Sequence, residues 1–145
     1  MIEERQNIIR EKFKTFTNTD DKWTYLISLA KSHVEPTDID RADEFIIPGC
    51  STTLYLIPKM DGNKIHFELG TVVTGTTPFI SLGLAELAKF IYNDLEPSEI
   101  LSADKGFFKE IGLAIGLTPT RNNGFASILD RIYKFAEIYS MIFIK

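Results

Sequence analysis

At 145 residues, 44% hydrophobic and 25% charged, the chain has the composition of one globular domain over 1–145 and is too apolar for a disordered segment. A net charge of −4, with no stripe of Lys and Arg, argues against a nucleic-acid partner. The longest apolar stretch, Pro78 to Phe90, is broken by Glu86 and too short to cross a bilayer, and the charged opening Met1-Ile2-Glu3-Glu4-Arg5 does not fit a secretory leader, so the expected compartment is the cytoplasm.

Ile2, Ile9, Phe13 and Phe16 recur at helical spacing and predict an amphipathic helix over roughly the first sixteen residues. Thr17 to Asp20 supplies cap candidates for a second helix, with Trp23, Leu26, Ile27 and Ala30 on one face and an end near His33. Glu35 to Glu44 is polar and acidic and reads as a loop with room for a helical turn. Its acids Asp38, Asp40, Asp43 and Glu44 fit a solvated loop or a docking surface for a basic patch.

After the apolar Phe45-Ile46-Ile47 come Pro48-Gly49-Cys50, then a strand over Thr52 to Pro58. Asp61-Gly62 signals a hairpin turn. The return strand alternates, with Ile65, Phe67 and Leu69 on one face and Lys64, His66 and Glu68 on the other; Thr71 to Thr74 could extend it or form a third strand. Phe79 to Tyr92 is apolar nearly all round and predicts a buried helix. Pro97 opens a short helix, and Asp104 is a cap candidate for another that carries Phe107, Phe108 and Ile111 and stops at Gly112. The last helix follows Thr118-Pro119-Thr120, with Thr120 or Asn122 as N-cap and a stripe of Phe125, Ile128, Leu129, Ile132, Ala136 and Tyr139. Helices, a hairpin, then helices define an α+β class with a small antiparallel sheet packed against several helices.

Cys50 is the only cysteine, so no internal disulfide forms, in keeping with a reducing compartment. Pro48 fixes φ and Gly49 admits conformations closed to other residues, which places the thiol at a backbone bend just before a strand. A buried thiol acting as a small hydrophobe is the plain alternative. One cysteine with the distant His33 and His66 makes no four-ligand set, so neither a metal nor a cofactor is expected. His33 reads as a helix-end residue and His66 as a solvated strand residue. Arg121 stands at the positive end of a helix dipole, against its local preference, which fits service to a carboxylate or thiolate.

Taken in order, Asp21-Lys22-Trp23-Thr24-Tyr25-Leu26-Ile27, Ile47-Pro48-Gly49-Cys50, Asp61-Gly62, Phe107-Phe108 and Leu117-Thr118-Pro119-Thr120-Arg121-Asn122-Asn123-Gly124 resemble the SufE family over roughly Asp20 to Phe135. The resemblance implies an α+β fold similar to the IscU-type scaffold. It implies a sulfur acceptor that takes persulfide sulfur from a SufS-type cysteine desulfurase and passes it toward a SufBCD-type iron–sulfur scaffold. It places the active cysteine on Cys50, near the tip of a mobile loop supported by Pro48 and Gly49, and the family arginine on Arg121. Two stretches depart from the family pattern. Ser51-Thr52-Thr53-Leu54-Tyr55 stands where Gln-Ser and a Val-Trp pair are usual, and Thr76 to Gly83 lacks the usual acid and lysine. These departures fit a second reading, a non-catalytic paralogue that binds and modulates a desulfurase or another partner. A cluster scaffold would need more cysteines than the chain has.

Overall fold

The computed structural model describes residues 1–36, 42–47, 53–71, 79–103, 106–113 and 119–143, with backbone alone at 79, 119–124 and 143. Its sheet is an antiparallel hairpin of β1 (Leu54–Asp61) and β2 (Lys64–Thr71), in register from Leu54↔Thr71 to Asp61↔Lys64. The turn lies one residue later than Asp61-Gly62 predicts. Asp61 is the last strand residue, and Gly62-Asn63 closes the loop with Gly62 at φ +63, a conformation that side chains disfavour. β1 also runs past Pro58. Leu54 turns its carbonyl outward to accept the Ile47 N–H at 2.9 Å, so by the two-residue period Pro58 faces outward as well, and its missing donor costs the hairpin no bond.

Ile65, Phe67 and Leu69 point into the core as the alternation predicts, and Leu54 to Ile57 are all buried. Each outer edge of the hairpin is paired in part among the described residues, which shortens the template for edge pairing. Ile46 bridges Tyr55 on the β1 side. On the β2 side Ile65 donates to the Leu95 carbonyl at 2.9 Å and accepts from Asp94 at 2.8 Å, while Phe67 N–H donates to Asn93 Oδ1 at 2.7 Å. The turn that carries Asn93 to Leu95 includes Asp94 at φ 57, the left-handed geometry that ends helices. Thr71 closes β2, and the expected extension at 72–74 lies outside the described residues.

The described helices are α1 (Ile2–Lys14), α2 (Thr19–Lys31), α3 (Phe79–Tyr92), α4 (Pro97–Leu101), α5 (Phe107–Glu110) and α6 (Pro119–Phe143), and the hairpin packs mainly against α3 and α6. Asn18 caps α2 by accepting the Asp21 N–H at 3.0 Å. Phe16 lies beyond α1 yet still packs, its ring 4.9 Å from Phe13 and 5.7 Å from Tyr25. α3 fills the middle, with Leu82, Leu84, Ala85, Leu87, Ala88, Ile91 and Tyr92 buried. It crosses α2 at Gly83, where a Cβ would stand 2.1 Å from the Leu26 carbonyl oxygen; only glycine permits that approach. Arg5 of α1 donates to the carbonyls of Ile91 and Asn93, which satisfies the C-terminal end of α3.

Two cap expectations change. Gly106, not Asp104, stands at the N-cap of α5; Asp104 lies outside the described residues, and Gly112 ends that region at φ 72 as expected. The last helix begins at Pro119, so Thr120 and Asn122 are inside α6 rather than at its N-cap. Proline at the first helical position is preorganised in φ and lacks only an N–H that would be unpaired there, so it starts the helix earlier. The stripe of α6 holds: Phe125, Ile128, Ile132 and Ala136 are buried, with Leu129 and Tyr139 packed beside them.

Candidate functional site

The hairpin fixes where the cysteine segment leaves and rejoins the core. A short 3₁₀ turn over Asp43–Phe45 fulfils the helical turn expected before Glu44 ends. Its position is held from α6, where Arg131 Nη1 donates to the Glu44 carbonyl at 3.0 Å. Ile46 then bridges Tyr55, and Ile47 N–H donates to the Leu54 carbonyl. Ile47 and Leu54 are 2% and 0% exposed, so both ends of the interval 48–53 are anchored in the core. Pro48, Gly49 and Cys50 fall in that interval and lie outside the described residues, as do Asp38 and Asp40. Asp43 and Glu44 are exposed on the turn that precedes the stem. Arg121 is in the first turn of α6, as its motif predicts, and its side chain is outside the described set.

Directly across the hairpin from Leu54, Thr71 is held by a carboxylate. Glu35 accepts the Thr71 N–H at 3.1 Å and its hydroxyl at 2.8 Å. Glu35 is itself engaged by His33, whose Nε2 lies 3.0 Å from Glu35 Oε1 and whose Nδ1 lies 2.6 Å from Glu86 Oε1 on α3. The His33 side chain is only 8% exposed. His33 is a helix-end residue as expected, its N–H donating to the Ala30 carbonyl just past α2, but its ring does not serve that end: it joins α3 to the end of β2. His66 is likewise not simply solvated. Its Nδ1 lies 2.8 Å from Asp94 Oδ1 and its Nε2 3.2 Å from Glu68 Oε1. The signal for both was present as His33-Val34-Glu35 and His66-Phe67-Glu68, since residues two apart in extended chain share a face.

Burial pushes the Glu35 carboxyl up, but the bonds from His33 and Thr71 together hold it below its ordinary value of 4.5. A carboxyl lowered in the folded state contributes stability above its unfolded pKa, and that stability is lost as pH falls through the folded value. Glu35→Gln is therefore expected to flatten the fall in urea midpoint below about pH 4.5. Identical acid slopes in the variant and the wild type would contradict this role for Glu35. Among the described residues no three His, Cys, Asp or Glu side chains are arranged to hold a metal ion, and no helix is long and apolar enough to cross a membrane.

A family model described as "SufE: Fe-S metabolism associated domain" matches residues 7–136. The chain belongs to the SufE family. The match begins earlier than the motifs alone indicate, because it takes in most of α1. Membership in the SufE family associates the chain with iron–sulfur metabolism. The fold is similar to that of a hypothetical protein from Thermus thermophilus, solved in solution. The two agree with a TM-score of 0.74 at 17% identity, over 94% of this chain and 96% of that one, a likeness of fold.

Proposed function

We propose that the protein accepts sulfane sulfur on Cys50 from the persulfide of a SufS-type cysteine desulfurase and delivers it toward a SufBCD-type iron–sulfur scaffold. The observation that carries this reading is the family match, combined with the position of the sole cysteine between Ile47 and Leu54. The Cys50 thiolate attacks the outer sulfur of the desulfurase persulfide. The bond between the two sulfurs breaks, the desulfurase cysteine leaves as thiolate, and Cys50 carries the new persulfide. Cleavage of the cysteine C–S bond stays with the desulfurase and its pyridoxal phosphate. At an ordinary thiol pKa near 8.5, only a few per cent of a free cysteine is thiolate at neutral pH, so a positive environment supplied on docking raises the reactive fraction. Arg121 is the residue of this chain proposed to support the thiolate or the partner.

The family departures at Ser51 to Tyr55 favour the second reading, a non-catalytic member that binds a desulfurase and modulates it. Alkylation of the single thiol tests the partner-dependent step of the acceptor reading. The family resemblance implies a Cys50 thiol that is shielded when no partner is bound, and a sheltered thiol loses solvation of its charged form and reacts slowly until a partner presents it. Cys50 is expected to alkylate slowly alone and several-fold faster with the desulfurase present. Rapid alkylation of the isolated protein, unchanged by a desulfurase, would contradict the proposal.

A further inference from the structure

The bonds around Thr71 lead from a buried side-chain cluster to the stem of the Cys50 segment. Thr71 is the last residue of β2, and its partner in the register is Leu54. Leu54 in turn accepts from Ile47 on its other side. The Thr71 N–H points away from Leu54 and would be an open edge donor, but Glu35 accepts it along with the hydroxyl. Glu35 stands outside both strands and depends on His33, and His33 is fixed by Glu86 on the central helix α3. Glu86, His33, Glu35, Thr71, Leu54 and Ile47 thus form a continuous path from the core to the two points where the cysteine segment begins and ends. β2 bonds to the rest of the fold at Ile65 and Phe67 through the α3–α4 turn, while at Thr71 the carboxylate of Glu35 takes that part.

We propose that Glu35, oriented by His33, is a positioning residue for sulfur transfer: it fixes the end of β2 beside the stem and so sets how Cys50 is presented. It does not touch the reacting sulfur. The proposal rests on the acceptor reading for its effect on transfer, whereas its effect on the stem and on the thiol stands without that reading. Removing the carboxylate frees the Thr71 donor and loosens the last pair of the hairpin, and the Ile47–Leu54 bond shares that pair. A loosened stem opens more often, and each opening exposes its amides and frees the two ends between which Cys50 lies in the sequence.

The experiment compares wild type, Glu35→Ala, Glu35→Gln and Thr71→Val. The control is Glu110→Ala, which removes the Arg10–Glu110 ion pair on the α1–α5 face. Amide hydrogen exchange at Thr71 and Ile47, and iodoacetamide alkylation of Cys50, are measured without any partner. Glu35→Ala should speed both by about tenfold or more, because one lost hydrogen bond can contribute about that factor to an opening equilibrium and this variant loses the bonds to both the Thr71 N–H and its hydroxyl. Glu35→Gln keeps an oxygen for Thr71 and should restore rates close to wild type, and Glu110→Ala should leave them unchanged. With a desulfurase present, Glu35→Ala should lower the maximal rate of sulfur acceptance while the concentration for half-maximal effect stays the same. If Glu35→Ala fails to fold, Thr71→Val decides, because it deletes only the hydroxyl bond and should still speed exchange at Ile47. Wild-type exchange and alkylation in Glu35→Ala, or in Thr71→Val where that variant decides, would overturn the inference even if transfer to Cys50 is confirmed. Loss of transfer by the wild type itself would instead remove the acceptor reading and leave the partner-free arms to judge the stem.

Discussion

Cys50→Ser is expected to reduce the protein's stimulation of cysteine desulfurase turnover to the level of the desulfurase alone. Stimulation by an acceptor arises because the desulfurase persulfide is cleared faster than small reductants clear it. Clearance needs a sulfur nucleophile: a thiolate attacks the outer sulfur, and the rate follows its thiolate fraction, its nucleophilicity and its access. A serine hydroxyl at neutral pH supplies almost no anion and no comparable affinity for sulfur. No second cysteine exists in the chain to take over. The substitution removes one sulfur atom from a segment whose ends, Ile47 and Leu54, are anchored in the core, so the fold and the docking surface should persist. Cys50→Ser should accordingly compete with wild type for the desulfurase while failing to stimulate it. Sulfide release under a mild reductant is the measurement. Equal stimulation by both proteins would remove the carrier role and favour the non-catalytic binding reading.

Gly83→Ala is expected to be strongly destabilising for a change of a single methyl group on a helix. The new carbon would sit 2.1 Å from the Leu26 carbonyl oxygen and 2.7 Å from its carbonyl carbon. Both are backbone atoms of α2, so no rotamer change relieves the clash, and the helices must move apart. Leu26 is fully buried, and the crossing also sets the distance over which His33, just past α2, reaches Glu86 on α3. Overpacking of a tight core costs about 1–3 kcal/mol and sometimes more. Backbone contact this close belongs at the upper end, and the better helix propensity of alanine returns about 1 kcal/mol. A net loss of roughly 2–3 kcal/mol, read from the urea midpoint, is a large part of the stability of a domain this size. Gly62→Ala gives the contrast: nothing lies within 4 Å of its added carbon, and only the positive φ of 63 opposes it. That strain costs about 1–2 kcal/mol. A Gly83→Ala midpoint at or above that of Gly62→Ala would show that the α2–α3 contact is not as tight as described.

Much of the fold is legible in the sequence because its strongest signals are periodic. The apolar run Phe79 to Tyr92 is α3 with the expected ends, and the alternation at Ile65, Phe67 and Leu69 gives the buried face of β2. Local chemistry marks Asn18, Pro97 and Gly112 at element ends. What escapes are features set by tertiary partners. Pro58 stays within β1 because its outward orientation depends on which edge Leu54 presents to Ile47. α6 starts at Pro119 rather than after Thr120, since proline and threonine compete for the same few positions at a helix start. The roles of the two histidines differ from expectation because helix-end and strand-surface positions say nothing about carboxylates that arrive from α3 or from the α3–α4 turn. The motif residues Pro48, Gly49, Cys50 and Arg121 come from sequence alone, and the structure contributes the anchored stem and the first turn of α6 that carry them.

The mass of the Cys50 peptide, after incubation with an active cysteine desulfurase, pyridoxal phosphate and cysteine, tests the central claim most directly. A persulfide on Cys50 adds the mass of one sulfur atom, is removed by reductant, and requires the desulfurase and cysteine together. The proposal expects that adduct on the wild-type peptide, with loss of the added sulfur when an acceptor thiol follows. A Cys50 peptide of unmodified mass, recovered while the desulfurase is turning over, would contradict it.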